Sequence, residues 1–301
     1  MGRARGFVTV ATGDEKYYKL AANLLLSYKK RGQGEYPFCL ICDRENEYSA
    51  MFDDVVLVED FCKGTVDKLL MRHSPYEETL FIDADTLILH SIDDLWDVFA
   101  DADDVSVFGR VLPLDSQDGW FTYEGSGKYQ SQVKYLISMN GGIYYARKGE
   151  LSHRVFRQAL EVMEDYATID FKYFSKPQDE PLMAMSLVLN GCKPCEKQYD
   201  MIILPAHPHK VTVDAEGNVY EDKEPSNAKM IHFSTRRTEL FLYNYLNEVN
   251  HSGSGSRGAY LKAKLRYGGK DLKFNTNHKC GAVLRKMGMN TLVDKLKKAL
   301  G

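Results

Sequence analysis

Two aspartates stand at the end of an apolar run in the segment LFIDADTLIL, residues 80–89. The run is typical of a buried strand, and residues i and i+2 of an extended chain project to the same side, so Asp83 and Asp85 lie together. Two carboxylates at the end of a buried strand are costly unless a cation compensates them. A hard divalent ion, Mn²⁺ or Mg²⁺, meets that need and can bridge to a diphosphate. The alternative is a solvated pair that caps the next turn.

Strand and helix signals alternate around this segment. Strands are predicted at 7–11, 37–43, 54–59, 79–83, 135–138, 142–146 and 229–233, and helices at 17–32, 68–73, 151–166, 181–189 and from residue 240. This alternation is typical of an α/β fold with a mostly parallel sheet, which binds ligands at the carboxyl ends of its strands. Residues 112–132 predict a long functional loop, and the segment HSGSGSRG at 251–258 predicts a flexible linker.

Charge is distributed unevenly along the 301 residues, although the formal net charge is only −3. Residues 257–301 contain 12 basic and two acidic side chains, which leaves the rest of the chain at −13. The balance argues against a general nucleic-acid binder. No stretch approaches the roughly 20 apolar residues of a membrane span, and no secretory segment precedes the first strand, so we expect a cytoplasmic protein.

Six cysteines include two CxxC pairs, Cys39 with Cys42 and Cys192 with Cys195. On paper the pairs form a four-thiolate zinc site, but zinc ribbons separate their pairs by only ~15–20 residues. Cys39 and Cys42 also lie in a predicted strand, where positions i and i+3 face opposite sides. We therefore predict free thiols, with a minor redox pair at Cys192 and Cys195 as the alternative.

A family resemblance rests on the residues after the fourth strand. FIDADTLIL followed by SIDDLW, within residues 81–96, resembles the metal-binding core of GT-A glycosyltransferases, and specifically glycosyltransferase family 8, the glycogenin and bacterial galactosyltransferase group. The order of further motifs agrees over roughly residues 6–235. The resemblance implies a GT-A fold, in which a Rossmann-like, mostly parallel sheet is flanked by helices, and it implies a nucleotide-sugar donor.

Site residues carried over by this resemblance fall into three groups. The metal ligands are Asp83, Asp85 and His232, a set whose nitrogen favours Mn²⁺ over Mg²⁺. The nucleotide-sugar contacts are Thr9, Ala11, Thr12, Tyr17, Lys68, Asp83, Ala84, Asp85, Asn140, Gly141, Gly142 and Arg236. The resemblance places Asp179 and Glu180 at the reaction centre. Tyr17 or its neighbour Tyr18 is expected to stack on the base, and the alternative for each is a core residue at the start of an amphipathic helix.

Three departures from the family pattern stand out. Asn140-Gly-Gly replaces Asn-Ser-Gly, and Asp179-Glu180 replaces Asp-Gln. The Lys-Pro-Trp that follows the family's histidine is missing, and Arg236 or Arg237 is expected to supply its positive charge. For Asp179 and Glu180 the alternative is the ordinary preference for acids at a helix N-terminus. For His232 taken alone, the alternative to a metal ligand is a histidine that is buried in the core with its hydrogen bonds satisfied.

Three other functions are alternatives to a glycosyltransferase. A haloacid dehalogenase-like phosphohydrolase also ends a strand in DxD, but it needs a threonine four residues after the first aspartate, and Thr86 lies three after Asp83. A sugar-1-phosphate nucleotidyltransferase needs a Gly-rich basic loop after the first strand, which TGDE at 12–15 is not. A non-catalytic sugar-nucleotide-binding relative is the third.

We predict a catalytic GT-A domain over residues 1–235 and a basic helical extension over 236–301. The expected enzyme is metal-dependent and retaining, and it transfers a sugar from a UDP-sugar to a glycan or lipid-linked acceptor in cell-surface polysaccharide synthesis. Leu292, Val293, Leu296 and Leu300 fall on one helical face among lysines, which predicts peripheral contact with the cytoplasmic face of an anionic membrane. The alternative is a solvated basic face on an ordinary packed helix.

Overall fold

The computed structural model describes residues 4–31, 35–61, 64–172, 175–204 and 206–286, without the side chains of 235, 236 and 276–286. Its strands are β1 (Arg5–Ala11), β2 (Phe38–Cys42), β3 (Asp54–Leu57), β4 (Glu78–Ile82), β5 (Thr86–Ile88), β6 (Val105–Leu112), β7 (Leu136–Arg147), β8 (Met201–Ile203), β9 (Val211–Val213), β10 (Val219–Glu221), β11 (Glu224–Pro225) and β12 (Met230–His232). Its α-helices are α1 (Glu15–Arg31), α2 (Leu95–Val98), α3 (Glu150–Glu164), α4 (Asp179–Leu189), α5 (Phe241–Ser252) and α6 (Arg257–Lys286). Short 3₁₀ helices cover Ser49–Met51, Thr65–His73, Glu124–Gln132, Tyr166–Thr168 and Thr235–Glu239.

A six-stranded sheet in the order β3-β2-β1-β4-β7-β6 forms the centre of the fold. The β1–β2, β1–β4 and β2–β3 pairs are parallel, whereas β7 runs antiparallel to both of its neighbours. All five residues of β2 are buried, as expected for a strand covered on both faces. The predicted parallel-rich α/β architecture is therefore confirmed.

Opposite faces of β2 hold the first cysteine pair. Cys39 packs in the core on one side of the sheet and Cys42 in the core on the other. The two thiols therefore do not converge on one metal ion, and Cys39, Cys42, Cys192 and Cys195 are all free.

The structure corrects two predicted boundaries. β7 is one strand of 12 residues, so the prediction of two strands around 139–141 is wrong. The register against β6 shifts in this part of the strand, because Val107 pairs with Tyr144 and Gly109 with Met139, so the pairing passes over residues 140–143 of β7. The predicted linker at 251–258 is also wrong, because α5 runs to Ser252 and Gly253 (φ 82°) ends it with an N–H that donates to Val249. Only residues 253–256 separate α5 from α6.

A second sheet, in the order β5-β12-β8, carries the late histidine. β12 pairs antiparallel with β5, and His232 lies directly opposite Thr86. Because β5 begins immediately after the two aspartates, this register brings a residue late in the chain to the end of β4.

The chain divides into two compact units, one of Met1–Ile203 with Asn227–His232 and one of Leu204–Ser226 with Phe233–Gly301. In the second unit the rings of Phe241, Tyr245 and Tyr260 pack together with centroids 5.2–5.5 Å apart. None of the described helices has the length and hydrophobicity needed to cross a membrane. The apolar tail residues Leu292, Val293, Leu296 and Leu300 lie outside the described residues. The roles expected for 1–235 and 236–301 stay predictions.

Phe7 on β1 is the centre of an aromatic cluster and should be a main source of stability. Its ring is fully buried, 5.1 Å from that of Tyr28 and 5.4 Å from that of Trp96. Phe7→Ala is expected to lower the free energy of unfolding by about 3–5 kcal/mol, because it leaves a cavity. Leu57→Ala, at a side chain that is 56% exposed, should change it by less than about 0.5 kcal/mol. Urea denaturation followed by tryptophan fluorescence measures both, and equal effects would contradict this assignment of the core.

Candidate functional site

Three ligand-type side chains converge where β4 ends. Asp83 and Asp85 flank a tight turn in which the N–H of Thr86 donates to the carbonyl of Asp83 at 3.0 Å. His232 Nε2 lies 3.1 Å from Asp85 Oδ1 and 3.4 Å from Asp83 Oδ2. One ligand atom from each residue lies within 4.8 Å of the others. Ala84, between the two aspartates, is buried.

Lys68 provides a positive charge at the same place. It belongs to the 3₁₀ helix Thr65–His73, and its Nζ lies 2.7 Å from Asp83 Oδ2 and 3.1 Å from Asp179 Oδ2. The ammonium also donates to the carbonyl of Gly141 at 3.1 Å. The Lys68 side chain thus contacts the end of β4, the start of α4 and the middle of β7, which are distant from one another in sequence.

Buried opposite charges shift the pKa values of these groups. Burial alone would lower the pKa of Lys68, but the carboxylates of Asp179 and Asp83 raise it well above its usual range. Burial alone would raise the pKa of Asp83, but Lys68 and His232 hold it far below normal. For His232, burial opposes the charged form, and hydrogen bonds to Asp83 and Asp85 outweigh it and raise the pKa to about 10. The metal-free site therefore contains an imidazolium at neutral pH.

Asp179 and Glu180 open helix α4 and face the same cluster. Asp179 Oδ2 accepts a hydrogen bond from the hydroxyl of Tyr144 at 2.8 Å. Glu180 Oε1 accepts from the backbone N–H of Gly141 at 2.7 Å. Burial, and then the neighbouring charge of Asp179, raise the pKa of Glu180. Helix α4 therefore brings two more acids, in different environments, to the end of β4.

The middle of β7 forms the floor of this cluster. The N–H of Asp83 donates to the carbonyl of Gly142 at 2.9 Å, which fixes the aspartate against β7. A Cβ on Gly141 would stand 2.4 Å from Asp179 Oδ2, and one on Gly142 would stand 2.7 Å from His232 Nδ1. Both contacts are too short for any other residue, so the two glycines give the acids and the imidazole room to approach the strand.

The loop after β1 is held by side chains that the sequence did not indicate. The Thr12 hydroxyl donates to Asp67 Oδ2 at 2.5 Å, next to Lys68. Asp43 Oδ1 accepts from the N–H of Gly13 at 2.9 Å and from the hydroxyl of Tyr18 at 2.7 Å. These partners lie 25 to 55 residues apart along the chain, so no local sequence pattern predicts them.

The predicted nucleotide contacts differ in how exposed their side chains are. Thr9 and Ala11 are buried within β1, and their contact with a nucleotide stays a prediction. Tyr18 is also fully buried, whereas Tyr17 is 39% exposed and is the one of the two available for stacking. The side chain of Arg236 lies outside the described residues, so its contribution stays a prediction.

The residues at the end of β4 fit a divalent metal ion. Two carboxylates and one imidazole form a mixed oxygen and nitrogen donor set that suits Mn²⁺. The three ligand atoms lie within 4.8 Å of one another. The imidazole nitrogen that faces the carboxylates is Nε2.

Metal binding at this site should release a proton from His232, because a ligating imidazole nitrogen must be unprotonated. The pKa of His232 is about 10 in the metal-free protein, so the proton is present throughout the neutral range. The affinity for Mn²⁺ is therefore expected to rise by about tenfold per pH unit over roughly pH 6–8. The electron paramagnetic resonance signal of free Mn²⁺ measures it. His232→Gln should bind more weakly and with a flatter pH dependence, and an equally steep dependence in that variant would rule out His232 as the proton source.

Solved structures show which fold this is. One similar structure is the galactosyltransferase LgtC in complex with donor and acceptor sugar analogues, at 14% identity and a TM-score of 0.53, covering 82% of this chain and 95% of that one. Another is an active-site mutant of LgtC in which a glutamine is replaced by glutamate, at 14% identity and a TM-score of 0.50, covering 83% and 96%. No protein-family model matches the sequence, and neither does any curated protein. The chain has the GT-A fold of the LgtC galactosyltransferase, as the resemblance in its sequence predicted.

Proposed function

We propose that this protein is a metal-dependent glycosyltransferase, which transfers a sugar from a nucleotide-diphosphate sugar, of the UDP type, to a hydroxyl of a glycan or lipid-linked acceptor. The observation that carries the proposal is the cluster of Asp83, Asp85 and His232 beside Lys68, at the carboxyl end of a central strand of a GT-A fold. LgtC, which has the same fold, is named as a galactosyltransferase and binds donor and acceptor sugar analogues. Synthesis of a cell-surface polysaccharide is the setting we propose.

The donor diphosphate would be bound at the end of β4. Asp83, Asp85 and His232 would hold Mn²⁺ or Mg²⁺, which when bound neutralises the negative charge that develops on the leaving diphosphate. Lys68 already carries a fixed positive charge there, held by Asp83 and Asp179, and adds electrostatic stabilisation. Tyr17 is exposed at the start of α1 and would stack on the base.

In the transfer step the bond from the anomeric carbon to the diphosphate oxygen breaks, and a bond to the acceptor oxygen forms. The diphosphate leaves with the electron pair of the broken bond, and the proton of the acceptor hydroxyl would pass to the carboxylate of Glu180. Glu180 is half-buried, and burial with the nearby Asp179 raises its pKa, so its carboxyl is suited to exchange a proton or to stabilise positive charge at the anomeric carbon. Asp179 is tied to Lys68 and Tyr144 and would orient the sugar.

The stereochemistry of the transfer is proposed from the family resemblance, and residue 180 is a departure from the family pattern at the reaction centre. The resemblance to family 8 implies retention of the anomeric configuration, and we propose it for this protein. One LgtC structure carries a glutamate in place of an active-site glutamine, and here Glu180 stands where the family pattern has glutamine. Proton NMR of the anomeric centre of the first product distinguishes retention from inversion.

Asp85→Ala tests the metal site directly. We expect it to abolish the Mn²⁺-dependent release of nucleoside diphosphate from a nucleotide sugar, because one of two carboxylate ligands is lost, while unfolding stays cooperative. A thermal-shift screen of nucleotide sugars with Mn²⁺ selects the donor, since a bound ligand raises the melting temperature. Asp97→Ala, on helix α2, is the matched control and should keep full activity.

Three outcomes would contradict the proposed activity. Full activity in Asp85→Ala would refute the assignment of the metal site. Release of inorganic phosphate from simple phosphate esters would indicate the phosphohydrolase instead. Binding of a nucleotide sugar with neither transfer nor hydrolysis would indicate a non-catalytic relative.

We also propose that the basic extension contacts an anionic membrane surface at the cytoplasmic face. Leu261, Leu265 and Leu272 of α6 are 53%, 88% and 70% exposed, and their spacing of four and seven residues places them on one helical face. Exposed basic residues surround them at Lys262, Lys264, Arg266, Lys270 and Lys273. Apolar side chains among lysines are suited to the headgroup region of an anionic bilayer.

Replacing two of these leucines tests the membrane contact. Deletion of residues 259–301 would be a less specific test, because it would also remove Tyr260 from the aromatic cluster of the second unit. Leu265→Ser with Leu272→Ser is expected to reduce cosedimentation with phosphatidylglycerol vesicles and to spare donor hydrolysis. Leu57→Ser, at an exposed leucine of β3, is the matched control. Equal vesicle binding by all three proteins would refute the contact, and equal binding to phosphatidylcholine would refute its electrostatic part.

A further inference from the structure

We propose that Asn140 is a positioning residue, which holds the metal ligand His232 with one end of its side-chain amide and Glu180 with the other. The inference rests on the proposed metal-dependent function. It gives Asn140 a task separate from contact with the donor sugar, namely to fix the mutual geometry of the metal site and the reaction centre.

The orientation of the Asn140 amide follows from a group that can only donate. The backbone N–H of Gly142 lies 3.0 Å from one end of the amide, so that end is the carbonyl oxygen Oδ1. The other end is then the NH₂ group, which donates to Glu180 Oε1 at 3.4 Å. That same carboxylate oxygen accepts the N–H of Gly141 at 2.7 Å, so both partners of Glu180 come from β7.

The position of the hydrogen on His232 follows in turn. Asn140 Oδ1 lies 3.3 Å from His232 Nδ1 and can only accept, so Nδ1 carries the hydrogen of this bond. The ring is thereby turned so that Nε2 faces Asp83 and Asp85. With Nε2 as the nitrogen that would hold a metal ion, the bond from Nδ1 to Asn140 would fix both the tautomer and the ring orientation.

The neighbouring glycines make this arrangement possible. A Cβ on Gly142 would lie 2.7 Å from His232 Nδ1 and 2.9 Å from Asn140 Oδ1, and so would occupy the space of the bond between them. A Cβ on Gly141 would lie 2.8 Å from Glu180 Cγ. Any larger residue in the middle of Asn-Gly-Gly would therefore push Glu180 away from the Asn140 amide. Gly141 occupies the position of the serine in the family's Asn-Ser-Gly, and here it leaves the space that Glu180 fills.

Two substitutions of Asn140 separate its two contacts. Asn140→Ala removes both, and should weaken Mn²⁺ binding by about 10–100-fold, as loss of a partner of a metal-bound histidine does. Asn140→Asp keeps an acceptor for Nδ1 and loses the donor to Glu180, so Mn²⁺ affinity should be retained or increased while kcat for donor hydrolysis falls. Asn190→Ala, at the opposite end of α4, is the matched control and should leave both quantities unchanged.

The measurements use the full-length protein. Paramagnetic resonance of free Mn²⁺ reports affinity without any nucleotide, and melting in EDTA shows whether each variant is folded. Nitrogen-15 NMR of the histidines with Zn²⁺ bound identifies the tautomer, and Nδ1–H with Nε2 bound to the metal is expected.

The outcomes that would overturn the inference differ from those that would overturn the proposed function. Mn²⁺ affinity of Asn140→Ala within twofold of the wild type, an equal loss of affinity in Asn140→Asp, or zinc bound at Nδ1 would each refute the role of Asn140. If the wild type binds Mn²⁺ and the variants behave as expected, but no nucleotide sugar is turned over, then the glycosyltransferase proposal fails and the positioning role stands. A wild type that binds no Mn²⁺ refutes both.

Discussion

An excess of buried negative charge at the end of β4 determines how the first unit is arranged. In the described part of the site, four carboxylates face two cationic side chains. The carboxylates belong to Asp83, Asp85, Asp179 and Glu180, and the cations to Lys68 and His232. Each carboxylate must take up a proton, find a cation or receive hydrogen bonds in order to remain buried. Neighbouring acids of the site differ in this respect. Lys68 and His232 lower the pKa of Asp83, whereas burial and the charge of Asp179 raise the pKa of Glu180.

This charge arrangement also constrains the backbone. β7 must pass close enough to give its carbonyls to Lys68 and Asp83 and its N–H groups to Glu180 and Asn140. Only a strand without side chains at two successive positions can approach so closely, which is why a pair of glycines stands where a central strand would otherwise carry bulky residues. The pairing of β4 with β7 ends at Ile82 and Ile143, and the bond from the N–H of Asp83 to the carbonyl of Gly142 extends it to the edge of the glycine pair.

Short-range patterns predicted much of the architecture. The apolar runs located β1 to β4 within one to two residues. The DxD at the end of β4 indicated the candidate metal site, because its spacing and the apolar run before it are both local properties of the sequence. Contacts between distant segments were not predictable in the same way. The His232–Thr86 register, the Thr12–Asp67 bond and the Asn140–Glu180 bond depend on how the elements pack. β7 was predicted as two strands because its glycines resemble a turn signal, and the interruption of its pairing at residues 140–142 lies at that place.

The interrupted pairing of β7 has a consequence for motion. Residues 144–146 bond to β4 on one side and to β6 on the other, so their amide hydrogens exchange with solvent only when a large part of the sheet opens. Residues 140–142 lie outside the pairing registers of both neighbours, and the N–H groups of Gly141 and Gly142 donate to the side chains of Glu180 and Asn140 instead. The protection of these two amides therefore depends on the side chains of the site, so the floor of the site can adjust locally while the doubly paired part of β7 stays in place.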